Sequence, residues 1–480
     1  MASNGIKYRY DGSKWTSVSS VVEADDGYTY PGGVGRTIQD RLEDYVSVKD
    51  FGAVGDGVTD DTQAFKDAIA SVRCIMVPQG SYIISSTITL PSSGDTSNRS
   101  LVGTYPNSSI RFTGTGSTLF VVPGGKASFE GLSFITEETS NYTNTCISDE
   151  QEMDDRPTYV KQCIFQRFGV AIQGNSNLAC ITDSQFLFNT TCINSLGPLM
   201  NSYVEGCMMQ FNDYGVVLNS AIGSKQPEGL RIINNTIQRA TIGVEVRAGL
   251  EILISSNVID QTFENASAIV LEPDVSNNTS IASVKILDNW INIGPDTTSY
   301  GLRLIKNAQA ISQVQVRGNT FAGSGTATAI DAQKCNTLQI ADNVFKSNWT
   351  GNFPDNQGPV VLGSSVVNYI ISGNQSEYGN PIDLQSTHSR AYKSAFTGNS
   401  SNAAYSFNAY PSLGMSSSSS GLELRGIGTT GLYFGAYDPN DGSSAASSAN
   451  KGSLFIRQGV GALYIKTDNT GNVWQTISPG

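Results

Sequence analysis

Three acidic residues in the middle of the chain share the same local setting. Glu245, Glu272 and Asp331 each stand in or directly after a short apolar phrase, at a position that alternates with the apolar side chains. Hydrolysis of a glycosidic bond commonly uses two carboxyl groups, one as a proton donor with a raised pKa and one as a base or nucleophile. Glu245 and Glu272 are therefore the first candidates for catalysis, and Asp331 is an alternative base.

Arginines and aromatic residues accompany these carboxyl groups. Arg247 and Arg303 have the charge to bind an acidic sugar, or to hold a neighbouring carboxylate ionised. Aromatic rings offer apolar faces on which sugar rings stack. The predicted substrate-binding residues are Arg247, Arg303, Trp290, Tyr300 and Trp349, with the aromatic residues in loops or turns near the same face. The alternative interpretation is a surface charge ladder of small energetic value.

A second acidic pair, Asp183 and Glu205, is the second choice for catalysis. We expect the two residues at equivalent positions of consecutive repeats, with about 5 Å between their backbones. That spacing is closer to the geometry of a retaining glycosidase. Lys161, one repeat earlier, could instead form an ion pair with Asp183.

A recurring phrase defines the element that must position these residues. It reads apolar, two residues, Asn, one residue, apolar, and it predicts a turn followed by a short strand. The Asn positions are separated by 22 to 32 residues, and they are 235, 257, 289, 319, 343, 374 and 399. A second apolar phrase follows about ten residues later, as in Gly243–Val246. Fixed strands with variable turns indicate a parallel β-helix. An antiparallel sandwich would need regular Asn-Gly or Asp-Gly turns, which this region lacks.

Stacking of the repeats fixes which side chains meet. Equivalent Asn residues can hydrogen-bond along a column and tolerate the left-handed backbone conformation. Alternation sends Val244 and Val246 inward and Glu245 outward. The Cα atoms of Glu245 and Glu272, one repeat and two residues apart, would be about 8 Å apart. Inverting glycosidases need about 6.5–9.5 Å between their carboxyl groups.

The segment before the repeats carries a different signature. Asp50-Phe51-Gly52-Ala53-Val54-Gly55-Asp56-Gly57 is followed by Asp60-Asp61-Thr62 and then by a helical pattern near residues 60–72. Thr59 or Asp60 would cap this helix at its N-terminus. Its apolar face would cover the open end of a β-helix. The phrase Val77-Pro78-x-Gly80-x-Tyr82 would then form the first repeat.

These phrases resemble the N-terminal signature of the pectate-lyase-like β-helix superfamily, and residues 35–45 are similar to the lead-in of phage tailspikes and capsule depolymerases. The resemblance implies an all-β chain with a right-handed parallel β-helix that assembles as a homotrimer on the phage tail or baseplate. It also implies a virion tail protein that binds and hydrolyses a bacterial capsular polysaccharide or O-antigen. Its relatives include hydrolases, lyases and non-catalytic proteins. Polysaccharide lyase action by β-elimination on a uronate-containing polymer, or a non-catalytic receptor-binding spike, therefore stay as alternatives.

We expect three regions. Residues 1–45 form an N-terminal arm or a small particle-attachment module. Residues 46–400 form the right-handed parallel β-helix with its short capping helix. Residues 401–480 form a C-terminal antiparallel β module that holds a trimer together.

Composition excludes several other classes. The net charge of −12 over 480 residues argues against a nucleic-acid partner. The sequence has no apolar run of about 18 residues, so no membrane insertion is expected. With one histidine and seven cysteines but no CxxC pair, we expect no metal site and no cofactor. The cysteines, several of which lie in apolar phrases, are predicted to be reduced core residues.

Overall fold

The computed structural model describes residues 7–10, 13, 15–18, 33, 43–91, 99–123, 127–138, 141–150, 158–174, 179–195, 201–219, 226–261, 265–294, 298–324, 327–348, 360–376, 382–384, 395–397, 400–401, 414–418, 421–425, 431–435, 453–457, 462–467 and 473–477. Most of them belong to a parallel β-helix. Each turn of this β-helix, here called a rung, passes through up to three short strands that lie in three stacked sheets.

The three sheets are named in the order in which a rung meets them. The strands of sheet 1 are Cys74–Val77, Arg99–Gly103, Ala127–Glu130, Thr158–Lys161, Cys180–Thr182, Tyr203–Glu205, Arg231–Ile233, Gly249–Leu250, Leu253–Ser255, Ile281–Leu287, Ile311–Arg317 and Ala395–Thr397. The strands of sheet 2 are Asp56–Asp60, Gly80–Ile84, Ser108–Phe112, Ser133–Thr136, Ile164–Gln166, Gln185–Leu187, Met208–Gln210, Thr236–Gln238, Val258–Gln261, Trp290–Ile293, Thr320–Ser324, Val344–Asn348, Gln375–Ser376 and Ser400–Ser401. The strands of sheet 3 are Ile88–Thr89, Thr118–Val122, Thr145–Asp149, Val170–Gly174, Thr191–Ser195, Tyr214–Leu218, Ile242–Val246, Ser267–Leu271, Tyr300–Leu304 and Ile382–Leu384.

Sheets 1 and 3 form one hydrogen-bonded network of 24 strands, and sheet 2 has 14 strands. Two long strands, Thr328–Ala341 and Val360–Ser372, run through both sheet 3 and sheet 1 and join them. The strand pairings of these three sheets are parallel, so the chain climbs in one direction and each rung stacks on the previous one. The predicted β-helix is confirmed, and the antiparallel sandwich is excluded for this region.

The core is a set of inward-facing columns. One such column contains branched apolar side chains that are at most 1% exposed, namely Val216, Val244, Ile269, Leu302 and Ile330. Rings also stack inside: the centroids of Phe134 and Phe165 are 5.1 Å apart, and those of Phe165 and Phe186 are 4.9 Å apart. In the strand Thr158–Lys161 of sheet 1, buried side chains alternate with exposed ones. In the strand Ser267–Leu271 of sheet 3, the outward residues are buried as well.

The cysteines are reduced, and six of the seven are buried. Burial raises the pKa of Cys163, Cys207 and Cys335 to about 12, which keeps these thiols protonated. They therefore serve as small apolar side chains, as predicted. Cys74 departs from the prediction, because it is exposed near the start of the β-helix.

The asparagine column is a continuous ladder from Asn235 to Asn374. Each side-chain Nδ2 donates to the Oδ1 of the next rung at 2.9–3.0 Å. Each Oδ1 also accepts the backbone N–H of the preceding rung's asparagine. The hydrogen-bonded ladder is predicted correctly, but the position of the left-handed backbone conformation is not. The left-handed conformation belongs to the residue before each asparagine, as in Asn234 and Asp288. The Asn399 copy lies outside the described residues.

A second amide ladder was not predicted. Asn189 and Asn212 repeat the same contacts at the corner between sheets 2 and 3, with Nδ2 of Asn189 donating to Oδ1 of Asn212 at 3.1 Å. Their Oδ1 atoms accept the backbone N–H groups of Phe168 and Asn189. The polar backbone groups of both corners are thus satisfied inside the protein, as buried polar groups require.

One α-helix, α1, covers the first rungs, as predicted. It spans Thr62–Ser71 and follows two 3-10 helices at Glu43–Tyr45 and Val48–Phe51. Phe65 and Ile69 are buried beneath it. The residue that precedes the helix is Asp61, whose carboxylate accepts instead from the backbone of Val54 and Gly55. Asp60 accepts the N–H of Thr62, so it performs part of the expected capping.

The two chain ends form separate small sheets. Lys7–Tyr10 and Trp15–Val18 pair antiparallel. The C-terminal sheet contains the strands Gly414–Ser418, Gly421–Arg425, Gly431–Gly435, Leu454–Arg457, Ala462–Lys466 and Trp474–Ile477. Its neighbours are antiparallel except for Gly431–Gly435 with Leu454–Arg457, which are parallel. The region boundaries at 45 and 400 stay predictions. None of the helices in the described part of the chain is long and apolar enough to cross a membrane.

Replacing Asn289 by alanine tests the ladder. Oδ1 of Asn289 accepts two hydrogen bonds from Asn257, and its Nδ2 donates to Ile254 and Asn319. The variant leaves buried donors and acceptors unpaired, so we expect the free energy of unfolding to fall by about 3 kcal/mol. Urea-induced unfolding followed by circular dichroism measures this change.

Asn292→Ala is the matched control. Asn292 lies on the same rung, is half-buried, and donates one hydrogen bond to Asp260. We expect this variant to lose less than about 1 kcal/mol. Equal losses in the two variants would mean that the ladder contributes nothing beyond an ordinary surface amide.

Candidate functional site

The predicted catalytic residues lie on the outer surface of sheet 3. Register places Glu245, Val270, Arg303 and Asp331 on four consecutive rungs of one outward column. Val217 and Val361 continue this column on either side. Alternation therefore predicted the direction of these side chains correctly. We call Glu245, Arg247, Glu272, Tyr300, Arg303 and Asp331 the sheet-3 cluster.

Glu245 is buried although it points away from the core, with only 3% of its surface exposed. Its Oε1 accepts from Nε of Arg247 at 2.9 Å. Its Oε2 is buried and has no hydrogen-bond partner among the described residues. Burial acts to lower the pKa of Arg247, but the hydrogen bond and charge of Glu245, with Tyr214 and Glu272, outweigh it and the pKa is raised. Arg247 is therefore a permanent cation between the two glutamates.

Asp331 and Arg303 form the other half of the cluster. Nε of Arg303 lies 3.8 Å from Oδ2 of Asp331, which is too long for a hydrogen bond, and this buried Nε has no other partner in the described part of the chain. The guanidinium carbon lies 4.1 Å from the ring centroid of Tyr300, within cation–π distance. Nε2 of Gln333 donates to Oδ1 of Asp331.

Burial raises the pKa of Asp331, and the hydrogen bond from Gln333 and the charge of Arg303 only partly oppose it. A carboxyl group with a raised pKa suits a proton donor. The sequence suggested Asp331 as an alternative base, and its catalytic role stays a prediction. Sequence reasoning also missed Gln333, although its place two residues after Asp331 in the same strand puts it on the same face.

The remaining candidates are placed as follows. Glu272 is half-buried and follows sheet 3 directly, and its charge acts on Arg247. Trp290 lies on a different sheet: it begins the sheet-2 strand Trp290–Ile293 and is 38% exposed. The expected loop position near the cluster is therefore wrong for Trp290. Tyr300 lies at the cluster, but it begins the strand Tyr300–Leu304 and is not in a loop. Trp349 lies outside the described residues.

The second-choice pair lies on sheet 1, in a cleft of about 520 Å³. The cleft is lined by Thr182, Asp183, Tyr203, Glu205, Gly206, Arg231, Ile233 and Asn234. Register pairs Glu205 with Thr182, so Asp183 stands opposite Gly206 and the expected equivalence of the two acids is off by one residue. Glu205 accepts from Nδ2 of Asn234 at 3.3 Å. Lys161 pairs with Glu130 at 3.5 Å, not with Asp183 as considered from the sequence.

Asp183 has a structural explanation. It takes the left-handed conformation of the corner turn, with φ 52°, and a side chain at Gly206 would meet its Oδ1 at 2.9 Å. The same arrangement of an aspartate against the glycine of the next rung recurs in Asp288 with Gly318 and in Asp342 with Gly373. A repeated turn device of this kind needs no catalytic role.

In the described ranges, no group of three or more His, Cys, Asp or Glu side chains is placed to hold a metal ion. The expectation that the protein uses no metal and no cofactor stays a prediction.

Comparison with known proteins finds one family model over part of the chain and short matches to a phage and a bacterial protein. Residues 45–268 match the family model for rhamnogalacturonase A/epimerase, pectate lyase-like. A 54-residue segment is 50% identical to the pre-neck appendage protein of Bacillus phage B103; it covers 11% of this chain and 6% of that protein. An 86-residue segment is 36% identical to the plasmin and fibronectin-binding protein A of Streptococcus pneumoniae, covering 16% and 12% of the two chains.

Among solved structures, the fold is similar to a double mutant of the tailspike protein of E. coli bacteriophage HK620 in complex with pentasaccharide. The TM-score is 0.56 and the identity is 16%, over 95% of this chain and 96% of the other. An identity this low establishes the fold alone. The chain is thus similar to a pectate-lyase-like family over residues 45–268, to a phage appendage protein over a short segment, and to a phage tailspike protein in its parallel β-helix fold.

Proposed function

We propose that this chain is a phage tailspike protein of the virion tail, which binds a bacterial capsular polysaccharide or O-antigen and hydrolyses its glycosidic bonds at the sheet-3 cluster. The observation that carries the proposal is the pair of buried, unpartnered polar atoms, Oε2 of Glu245 and Nε of Arg303, two rungs apart in one column. Such atoms are rare in folded proteins because each costs about 1–3 kcal/mol when left unpaired. A sugar hydroxyl group would satisfy the first atom, and a sugar carboxylate the second.

The carboxyl groups divide the chemistry between them. Asp331, with its raised pKa, is the proton donor to the leaving oxygen. Glu272 is the base that activates water. The two residues lie two rungs apart, about 10 Å along the helix axis. Glu245 and Glu272 are the alternative pair, at about 8 Å between Cα atoms. Glu272 belongs to both pairs, so it is the residue on which the mechanism depends most.

Arginines supply the substrate selectivity in this proposal. Arg247 and Arg303 present two cations on the same face, and each has more than a third of its side chain exposed. An acidic sugar would bind them by charge-assisted hydrogen bonds. Tyr300, held by Arg303, supplies aromatic surface at the cluster.

Support for a carbohydrate ligand comes from the HK620 tailspike, which was solved with a pentasaccharide. Two alternatives have their own support. The words 'pectate lyase-like' in the name of the matched family model support β-elimination on a uronate-containing polymer as one alternative. The pneumococcal relative, named for binding plasmin and fibronectin, favours a spike that binds without cleaving.

The assembly is proposed on the same basis. The chain forms a homotrimer through residues 401–480, and residues 1–45 attach it to the phage tail or baseplate. The match to the phage appendage protein covers only 6% of that protein's length. The route by which this chain attaches to the phage is therefore proposed without reference to that protein.

Glu272→Gln and Asp331→Asn test the assignment. Incubation with a panel of purified capsules and O-antigens, followed by size-exclusion chromatography and mass spectrometry, measures cleavage. We expect the wild-type chain to shorten one polymer and each variant to lose a factor of about 10² to 10⁴ in rate. A lyase would give products with a new carbon–carbon double bond, visible by ultraviolet absorption.

Asp183→Asn and Glu205→Gln are the matched controls, since they alter carboxyl groups in the sheet-1 cleft. They are expected to keep the wild-type rate. If both sheet-3 variants were fully active and the controls were inactive, the catalytic site would be assigned to the sheet-1 cleft instead. Binding without any change in polymer size would leave a receptor-binding spike.

The raised pKa of Asp331 predicts a dependence of stability on pH. The folded-state pKa lies above the unfolded value of about 3.9, so the folded protein binds the proton more tightly. Wild-type stability therefore falls as the pH rises from about 4 through the folded pKa. Asparagine cannot ionise, so the melting temperature of Asp331→Asn should rise relative to wild type over that window. A relative fall would show that the ionised carboxylate is stabilised by Arg303.

A further inference from the structure

A row of exposed residues follows four successive strands of sheet 2. Immediately after these strands come Arg167, Phe188, Phe211 and Arg239, on consecutive rungs of the corner between sheets 2 and 3. We call these four residues the corner strip. All four have positive φ angles, from 54° to 64°. Their backbone N–H groups donate to carbonyl oxygens of the next rung at 3.0–3.2 Å, so the turns are well ordered.

The neighbouring corner shows how unusual these side chains are. After the strands of sheet 1 the backbone takes the same left-handed conformation, and the residues there are Gly131, Gln162, Asp183, Gly206, Asn234, Ser256, Asp288, Gly318, Asp342 and Gly373. Glycine and short polar residues tolerate this conformation, whereas bulky ones rarely adopt it. At the corner strip the sequence holds two phenylalanines where the backbone disfavours them. Gly or Asn would form these turns with less backbone strain. We therefore infer that the phenylalanines are kept for their side chains.

The side chains form an apolar surface between two cations. Phe188 and Phe211 are 48% and 41% exposed, and their rings stack at 5.2 Å with 15° between their planes. The guanidinium carbon of Arg239 lies 5.1 Å from the centroid of Phe211. Arg167 is exposed at the other end of the row. Beside the rings, Gln210 and Gln238 form an amide row, with Nε2 of Gln210 donating to Oε1 of Gln238.

The corner strip leads toward the sheet-3 cluster. Three rung spacings give it a length of about 14 Å along the helix axis. Its last residue, Arg239, is followed in the same rung by the strand Ile242–Val246, which carries Glu245. Glu272 and Arg303 come from the next two rungs in the same direction. A linear ligand that continues along the helix axis beyond Arg239 therefore passes the rungs that carry the cluster.

We propose that the corner strip binds an acidic polysaccharide and holds the part of the polymer that is not being cut. Apolar sugar faces pack on Phe188 and Phe211, the glutamine amides bind hydroxyl groups, and the arginines bind carboxylates. The strip is one side chain wide. It therefore offers less area than a typical protein–protein interface, which buries about 800 Å² per partner. This inference rests on the proposed function for the class of ligand and adds a binding site that takes no part in bond cleavage.

Two double variants test the proposal. Phe188→Ser/Phe211→Ser removes the rings, and Arg167→Gln/Arg239→Gln removes the cations. Ser256 holds the same conformation with φ 58°, so the serine variant is expected to fold. Binding is measured on an array of purified acidic and neutral bacterial polysaccharides, in the wild-type chain and in a Glu272→Gln background that stops cleavage. Tyr159→Ser, which removes a 41% exposed ring from sheet 1, is the matched control.

We expect both double variants to lose about tenfold in affinity for an acidic polymer, comparable to the loss of one good aromatic or ionic contact. The control should bind as the wild type does, and raising the salt concentration should weaken wild-type binding more than that of the arginine variant. Unchanged binding by the serine variant would overturn the proposal, as would a wild-type chain that binds no acidic polymer. A serine variant that changes the oligomeric mass would assign the strip to contact with a second copy instead.

The design separates this inference from the proposed hydrolysis. If the wild-type chain cleaves no polymer while the strip variants still lose binding, the reaction is refuted and the strip stands. If Glu272→Gln abolishes cleavage while the strip variants bind normally, the reaction stands and the strip is refuted.

Discussion

Main-chain hydrogen bonds between successive rungs hold the strand residues of each rung above their counterparts in the rung before. Because the strands run parallel and in register, a choice of side chain at one position is repeated about every 4.8 Å along the helix axis. Val216, Val244, Ile269 and Leu302 become one apolar column in this way, and Asn235 to Asn374 become one hydrogen-bonded ladder. The same register brings residues from distant parts of the chain, such as Glu245 and Asp331, onto one face.

The two proposed binding surfaces both contain residues that the stability of the fold alone would not favour at those positions. An outward column flanked by Val217 and Val361 would be satisfied with further apolar or neutral residues. It nevertheless holds a buried carboxylate oxygen and a buried guanidinium nitrogen without partners among the described residues. A left-handed corner would be satisfied with glycine or asparagine, yet it holds Phe188 and Phe211. Local conflicts of this kind are typical of functional sites, where the side chain is kept for a ligand and not for stability.

Much of the fold could be predicted from the sequence because a β-helix repeats its signals. The Asn phrase, the alternation around Val244 and the helix over residues 62–71 each appear as local patterns. What the sequence could not give is the geometry of the corners. Which residue of a turn takes a positive φ depends on the bonds of the neighbouring rung, so the left-handed conformation was expected at the ladder Asn and lies one residue earlier. For the same reason, Asp183 and Glu205 were expected at equivalent positions but are offset by one residue. The positive φ angles of the corner strip were not predicted either.

The site was predicted in outline for the same reason. Direction follows from alternation, so Glu245, Arg303 and Asp331 were expected on one face. Their burial and pKa depend on neighbours such as Gln333 and Tyr300 that no single strand reveals. Trp290 was assigned to the wrong surface because the strand after each ladder Asn belongs to sheet 2, whereas the cluster belongs to sheet 3.

The most direct test is a crystal structure of the Glu272→Gln chain with fragments of the polysaccharide that it binds. The account predicts sugar density on the outer face of sheet 3, with polar groups of the sugar within hydrogen-bond distance of Oε2 of Glu245 and Nε of Arg303. Density confined to the sheet-1 cleft, with the sheet-3 column unchanged and uncovered, would contradict it.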